Sequence, residues 1–190
     1  MLFTKRITKA KENEMSNITA EQAHFLLHNV FAATLKTESR TTKKILEAVP
    51  ADKSSYQPDA CAKTANELLR HIATAEFFFL EAVINGVFNP GSVKIPDTAV
   101  TPAEIAAWYE ETFAKNLEAL GKLSGEQLAK IVDFRGMFQM PAVMFLQFGL
   151  NHTIHHRGQL STYLRPMGAK IPAIYGESYD SAQAKKAAQA

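Results

Sequence analysis

The stretch Thr64-Ala-Asn-Glu-Leu-Leu-Arg-His-Ile-Ala-Thr-Ala-Glu76 indicates the fold class of this chain. Its first four residues form a capping box, in which the Thr64 hydroxyl caps a helix start and the Glu67 side chain reaches back to the cap. Apolar residues follow at the spacing of one helical face, namely Leu68, Ile72, Ala75 and Phe79. Because Gly86 is a typical helix terminator, the sequence predicts an amphipathic helix from residue 64 to about residue 85.

The same kinds of signal mark three further long helices. Capping boxes at Thr19-Ala-Glu-Gln22 and Thr101-Pro-Ala-Glu104 begin two of them, which end near Pro50 and Gly121. The last long helix begins at about Pro141 and ends near residues 166–168. A short helical turn is predicted at residues 124–127, and a loop or brief strand at residues 131–140. Four long amphipathic helices without alternating strands predict an all-α fold, an up-down four-helix bundle.

The length of 190 residues fits one domain with short extensions at its ends. With 46% hydrophobic residues the chain can bury a core without disulfides, and its single cysteine, Cys61, allows no internal disulfide. We expect a flexible N-terminal extension at residues 1–15, the bundle domain at residues 16–180 and a disordered tail at residues 181–190.

Basic residues are concentrated at the two ends of the chain. Residues 1–15 hold four basic and two acidic groups, whereas residues 16–180 hold 15 basic and 17 acidic groups. A nucleic-acid-binding surface needs a clustered basic face, so we predict no nucleic-acid partner. The apolar runs are shorter than the roughly 18–20 residues that span a bilayer. Residues 1–14 also lack the pattern of a secretion signal, and we therefore predict a cytoplasmic protein with no membrane partner.

Three of the six histidines have the spacing and setting of a metal site. His152 and His156 are four residues apart on the last long helix, so their side chains share one face and can bind one metal ion. His71 lies about two turns into its helix, among the apolar residues of the buried stripe, and can project into the bundle to meet the pair. Three neutral imidazoles bind a borderline metal and leave coordination positions open. Taken by itself, His71 has an alternative interpretation, as a core histidine whose hydrogen-bonding groups are satisfied there and which binds no metal.

The other candidate ligands have plainer interpretations. His24 and His28 repeat the four-residue spacing near the start of the first helix, where we expect exposed or packing side chains. His155 points away from the predicted site around its helix. Glu67 is explained by its capping box, and Cys61 precedes the helix that carries His71, so neither is counted as a ligand.

The stretches that contain the three histidines resemble the DinB/YfiT-like family of metalloenzymes. One stretch is Thr64–Glu76, and the other is Asn151-His-Thr-Ile-His-His-Arg-Gly-Gln-Leu160, which contains an H-x-x-x-H-R-G-Q run. The resemblance extends over about residues 18–175. It implies a DinB-type four-helix bundle, a homodimer, and a divalent metal held by His71, His152 and His156.

The sequence also predicts roles for three residues of the H-R-G-Q run and for one glycine that precedes it. We interpret Arg157 and Gln159 as structural, through contacts between helices or subunits, and Gly158 as permitting close helix packing. We expect Gly149 to leave space beside the site, so that water or a small anion completes the metal coordination. Three consecutive aromatics, Phe77–Phe79, cannot all face the core, so one of them should face a partner subunit or an adjoining loop.

The resemblance implies a metal-dependent enzyme of one of two kinds. It is either like the thiol S-transferases, with a low-molecular-weight thiol as cosubstrate, or like a hydrolase, and the metal would activate the sulfur or water nucleophile. Zinc or nickel is the expected metal, with iron or manganese as alternatives. The competing hypothesis is a non-catalytic metal-binding or stress-response bundle protein. A small molecule is the expected partner, and no second motif supplies a general base.

Overall fold

The structure, a computed structural model, describes residues 18–189. The first long helix consists of α1, a π-helical stretch and α2 in succession: Ala20–Phe25, Leu26–Phe31 and Ala32–Glu47. The other long helices are α3 (Ala65–Asn85), α4 (Pro102–Leu120) and α6 (Met144–Leu164). The shorter elements are a 3-10 turn (Ala51–Lys53), α5 (Gly125–Ala129), strands β1 (Ile131–Phe134) and β2 (Phe138–Pro141), and α7 (Tyr179–Ala187). The predicted four-helix bundle is confirmed.

The predicted helix starts are confirmed at the level of single hydrogen bonds. Thr19, Thr64, Thr101 and Ser124 each accept the backbone N–H of the residue three positions later, and that residue's side chain accepts from the cap in return. Gly86 ends α3 in the left-handed conformation, with φ of 66°, which a residue with a Cβ rarely adopts. Local chemistry therefore sets where three of the four long helices begin, whereas α6 begins at Met144 without a side-chain cap.

The four long helices pack as a ring around one core. α3 contacts both α4 and α6, and α2 contacts the same two helices from the opposite side. The stripe predicted for α3 lies inside, because Leu68, Ile72 and Phe79 are buried. The α3–α6 interface is the most extensive of these contacts, and it brings together the two helices that carry the candidate metal ligands.

The segment before α6 forms a β-hairpin, one of the two alternatives predicted for residues 131–140. β1 pairs with β2 in antiparallel register, from Ile131 opposite Pro141 to Phe134 opposite Phe138. The turn needs positive φ at Arg135 and Gly136, where an Asp133 carboxylate oxygen accepts the Gly136 N–H. Because the second strand continues to residue 141, α6 begins at Met144 rather than at the predicted residue 141.

The C-terminal segment departs from the expected disordered tail at residues 181–190. Residues Tyr179–Ala187 form α7, which Ser178 caps by accepting the Ser181 N–H. Asp180 ties this helix to the bundle, since its carboxylate accepts the Ile171 N–H at 2.9 Å and pairs with Arg165. The small residues of the tail are helix formers once a cap and an anchor are present.

The flexible extension predicted at residues 1–15 lies outside the described residues. Between residues 18 and 189, no helix combines the length and apolarity needed to cross a membrane.

Candidate metal centre

Helices α3 and α6 bring His71, His152 and His156 together, as the spacing predicted. The ring centroid of His71 lies 5.0 Å from that of His152 and 4.5 Å from that of His156, and the two histidines of α6 are 4.5 Å apart. All three pairs of rings meet edge to face rather than stacked. The rings therefore converge on one point between the helices.

One ligand nitrogen from each ring can be chosen so that the three lie within 4.8 Å of one another. Nitrogens around a tetrahedral metal lie about 3.3 Å apart, because each metal–nitrogen bond is about 2.0–2.1 Å. Among residues 18–189, this is the single group of three or more His, Cys, Asp and Glu side chains with metal-binding geometry, and no fourth such side chain joins it.

Burial keeps two imidazoles of this centre, those of His71 and His152, in the form that binds a metal. Loss of solvation, with smaller contributions from the neighbouring histidines, lowers the pKa of His152 to about 4. The pKa of His71 is lowered too, first by burial and then by His156 and Lys63. A neutral imidazole has a free lone pair, whereas a protonated one does not, so these two rings are ready ligands at neutral pH.

Gln159 fixes the tautomer of His156. The Nδ1 atom of His156 lies 3.1 Å from Oε1 of Gln159, and an amide oxygen can only accept a hydrogen bond. The proton is therefore on Nδ1, and the lone pair is on Nε2, which is the nitrogen available to a metal. The Gln159 amide in turn donates to the Tyr163 hydroxyl at 3.4 Å. Such a partner behind a ligand histidine is a usual feature of metal sites.

The Nδ1 atom of His152 is buried and has no hydrogen-bond partner in the described part of the chain. A buried polar atom without a partner costs free energy, so native structures rarely leave one. Coordination of a metal through this nitrogen would satisfy it. The donor set, the convergence of the rings and this unsatisfied nitrogen all fit a divalent transition metal such as zinc or nickel.

Two glycines of α6 have roles other than those predicted. A Cβ on Gly149 would lie 2.7 Å from Cβ of Phe79, so this glycine permits the close approach of α6 to α3. The expectation that it leaves open space beside the site is therefore wrong. Gly158 is exposed, and a Cβ there would meet nothing within 4 Å, so the close packing expected at Gly158 is instead found at Gly149.

Arg157 has the structural role that the sequence predicted. Its side chain is 1% exposed and pairs with Glu38 of α2 at 2.6 Å. The same guanidinium donates to the Tyr175 hydroxyl at 2.6 Å and to the Glu38 carbonyl at 3.1 Å. Through Arg157, the ligand helix is tied to α2 and to the segment that follows α6.

The other candidates of the sequence analysis are not among the three converging side chains, as expected, although the ring centroid of His155 lies 4.8 Å from that of His156. His24 and His28 are both exposed and contact each other, with ring centroids 4.2 Å apart. His155 is exposed on the flank of α6. Glu67 accepts the Thr64 N–H at 2.8 Å in its capping box, and Cys61 is an exposed free thiol.

Sequence reasoning missed a buried pair beside the ligand helices. Glu76 of α3 is buried in the core, and the Tyr109 hydroxyl of α4 donates to its carboxylate at 2.9 Å. Burial raises the pKa of Glu76 to about 7, although this hydrogen bond opposes the shift. Glu76 lies four residues after Ile72 and three before Phe79, on the face of the buried stripe, so its helical spacing did indicate burial, a signal that sequence reasoning passed over.

The fold and the site together define a class of protein, the helical bundles with a three-histidine candidate metal centre between two helices. The chain belongs to the DinB family, whose family model matches residues 15–188.

Similar proteins come from two Bacillus species. YjoA of Bacillus subtilis is 30% identical over 148 residues, which cover 77% of this chain and 88% of YjoA. The crystal structure of YjoA, described as a DinB-like protein, matches 77% of this chain and 99% of its own length with a TM-score of 0.65 and 26% identity. A DinB-like protein from Bacillus cereus matches with a TM-score of 0.66 and 28% identity, over 78% of this chain and 97% of its own. YrdA of Bacillus subtilis is 41% identical over 49 residues, 26% of this chain and 29% of YrdA.

Proposed function

We propose that this protein is an enzyme that depends on one divalent metal held by His71, His152 and His156. The observation that carries the proposal is the composition of the centre: three converging imidazoles with no fourth His, Cys, Asp or Glu ligand among residues 18–189. A structural zinc site is usually closed by four protein ligands, whereas a catalytic site keeps a position for substrate or water. The incomplete ligand set therefore favours catalysis.

The chemistry we propose is attack by an activated nucleophile, as in thiol S-transferases or in hydrolases. A divalent metal, if held in this centre, would lower the pKa of a bound thiol or water and so would supply a nucleophile at neutral pH. The residues of this chain would hold the metal, and they orient the imidazoles that bind it. Burial keeps His71 and His152 neutral, Gln159 directs the lone pair of His156, and the close contact at Gly149 fixes the distance between the two ligand helices.

We further propose zinc or nickel as the metal, with iron or manganese as alternatives, a low-molecular-weight thiol as cosubstrate, and a cytoplasmic homodimer as the working form. The aromatic run at residues 77–79 gives the dimer no independent support. Phe77 and Phe79 are buried, and the half-buried Phe78 packs against Phe88 of the loop after α3, with ring centroids 5.0 Å apart. Light scattering at micromolar concentration tests the dimer, and a strict monomer would contradict it.

The experiment that tests the enzyme proposal uses protein loaded with cobalt(II), whose visible spectrum reports changes in its ligands. Imidazole, azide or a thiol should change that spectrum, because an open position accepts them. A spectrum that stays fixed under saturating ligand would indicate a closed structural site and would favour a non-catalytic metal-binding bundle. Elemental analysis of the purified protein identifies the native metal, and a screen of thiols with electrophiles then tests for transferase activity.

A further inference from the structure

A cleft of about 220 Å³ runs along α3 from His71, the one candidate metal ligand in its lining. Thr74, Ala75 and Phe78 continue the wall that His71 begins. These residues are three, four and seven positions after His71, so they lie on one face of the helix. Gly91 and Val93, from the loop between α3 and α4, form the opposite wall.

The lining of this cleft carries no charged side chain among the described residues. Its polar side chains are His71 itself and Thr74, whose hydroxyl already donates to the Arg70 carbonyl at 2.9 Å. Phe78 and Val93 present apolar surface that is partly buried against the core. The charged neighbour of His71 is Lys63, which precedes the first turn of α3, whereas the cleft runs toward the other end of that helix.

The size of the cleft sets the size of its occupant. An engineered apolar cavity of about 150 Å³ holds one benzene molecule, and drug-sized ligands need about 300 Å³ or more. A volume of about 220 Å³ therefore suits a single ring or a branched chain of similar bulk. The distance from His71 to the middle of the cleft is about one helical turn, roughly 5.4 Å along the axis.

We propose that this cleft binds a compact, uncharged apolar group of the substrate, while a thiol of the same molecule reaches the three histidines about one helical turn away. This inference rests on the proposed function and deepens it by naming the substrate class, a neutral thiol with a ring-sized apolar body. Thr74, Ala75, Phe78 and Val93 are then the residues that determine specificity.

Three thiols test this assignment on the 190-residue chain loaded with cobalt(II), with binding read from the visible spectrum. They are 2-mercaptoethanol, which lacks an apolar body, 2-phenylethanethiol, whose ring lies about one helical turn from sulfur, and 4-(2-sulfanylethyl)benzoate, which adds a charge to the same ring. We expect 2-phenylethanethiol to bind at least about tenfold more tightly than 2-mercaptoethanol, because its ring leaves water. The carboxylate should remove most of that gain, because a charge in an apolar cleft is not compensated.

Variants with a larger side chain in the cleft test whether the ring of 2-phenylethanethiol binds there. Ala75→Leu should lower the ratio of the affinities for 2-phenylethanethiol and 2-mercaptoethanol at least about fivefold, since the added side chain occupies the ring's place. Ala33→Leu makes the same substitution at an exposed position of the first long helix and should leave the ratio unchanged. If Ala75→Leu fails to fold, Val93→Phe narrows the cleft from the loop side and carries the same expectation.

Equal affinities for the two neutral thiols, or an unchanged ratio in both filling variants, would overturn the cleft assignment while the metal proposal stands. A charged ring thiol that binds as tightly as the neutral one would also overturn it. Failure to bind cobalt, or a spectrum that none of the thiols, imidazole or azide alters, would refute the proposed function and this inference with it.

Discussion

Two pairs of histidines in this bundle share the same spacing and differ in almost everything else. His24–His28 and His152–His156 are each four residues apart, and their ring centroids are 4.2 Å and 4.5 Å apart. The first pair is exposed at the start of the first long helix. The second is half-buried between α3 and α6, where His71 meets it from the facing helix. Spacing alone therefore does not make a metal site.

The difference lies in what surrounds each pair. Burial lowers the pKa of His152 to about 4, and Gln159 holds the ring of His156. Placing three polar rings in a partly buried position costs free energy unless something compensates it. A metal ion would supply that compensation, and the folded chain already brings together the three imidazoles that could bind it. The exposed pair has no such need, because water solvates both rings.

The largest effect should come from removing a ligand of the buried pair. His152→Ala should weaken metal binding by more than about 100-fold, a larger loss than the 10- to 100-fold typical of supporting residues. Elemental analysis should find about one transition metal per chain in the unchanged protein and almost none in the variant. His24→Ala is the matched control and should retain the metal. Loss of metal from His24→Ala, with retention in His152→Ala, would reverse the assignment.

This contrast also shows how far the sequence could predict the site. The face shared by His152 and His156 follows from helical spacing, and the inward direction of His71 follows from the apolar stripe around it. The capping boxes gave the helix starts for the same reason, since their hydrogen bonds are local. Local patterns are therefore sufficient wherever the interacting residues lie within about one turn.

Most of the features that the sequence did not predict depend on contacts between distant residues. The position of Gly149 against Phe79 needs the register of α6 on α3, which no local pattern contains. The pair of Glu76 and Tyr109 joins α3 to α4, and the anchor of α7 joins Asp180 to Ile171 across a loop. The contact of Gln159 with His156 is an exception, which could have been predicted from the sequence because the two residues are three apart on one helix.

A second test applies the same comparison of buried and exposed groups to two arginines of the C-terminal half. Arg157→Ala should lower the free energy of unfolding by about 3 kcal/mol, because it removes the charged partner of the partly buried Glu38, to which the Tyr175 hydroxyl still donates. Arg165→Ala should cost at most about 1 kcal/mol, since Arg165 is half exposed where it pairs with Asp180. Urea denaturation measures both. Equal effects of the two substitutions would mean that burial does not set the strength of these pairs.

A third test uses the pH dependence of stability. The pKa of Glu76 is about 7 in the folded protein and near 4.5 when unfolded. Between those values the folded state keeps a proton that the unfolded state has lost. This residue's contribution is therefore fully present below pH 4.5 and declines as the pH rises to about 7. Glu76→Gln removes this titration, so the variant lacks the decline. The free energy of unfolding of the variant, relative to that of the unchanged protein, should therefore rise by about 3 kcal/mol from pH 4.5 to pH 8.

Taking the difference between the two proteins separates Glu76 from His152. The lowered pKa of His152 makes stability rise with pH from about 4 to 6.5, the opposite direction, and that contribution is common to both proteins. The control is Glu111→Gln, because Glu111 is exposed and its pKa is lowered by the Lys115 hydrogen bond. If stability depends on pH in the same way in Glu76→Gln and Glu111→Gln, burial does not raise the pKa of Glu76.

The smallest expected effect concerns the support of a ligand rather than the ligand itself. Gln159→Ala removes the acceptor that holds Nδ1–H of His156, a contact that the exposed pair lacks. The ring should then lose its fixed orientation and tautomer, and metal affinity should fall roughly 10-fold, within the range known for such partners. Competition with a chelator of known affinity measures the change.

Gln159→Glu keeps an acceptor with a negative charge, so it should preserve or increase metal affinity. Gln147→Ala is the control on the same helix, because Gln147 is exposed and donates only to Asn151. Should Gln159→Ala bind metal as tightly as the Gln147→Ala control, the three converging imidazoles would be sufficient by themselves, and the difference between the two histidine pairs would reduce to burial and the third ligand.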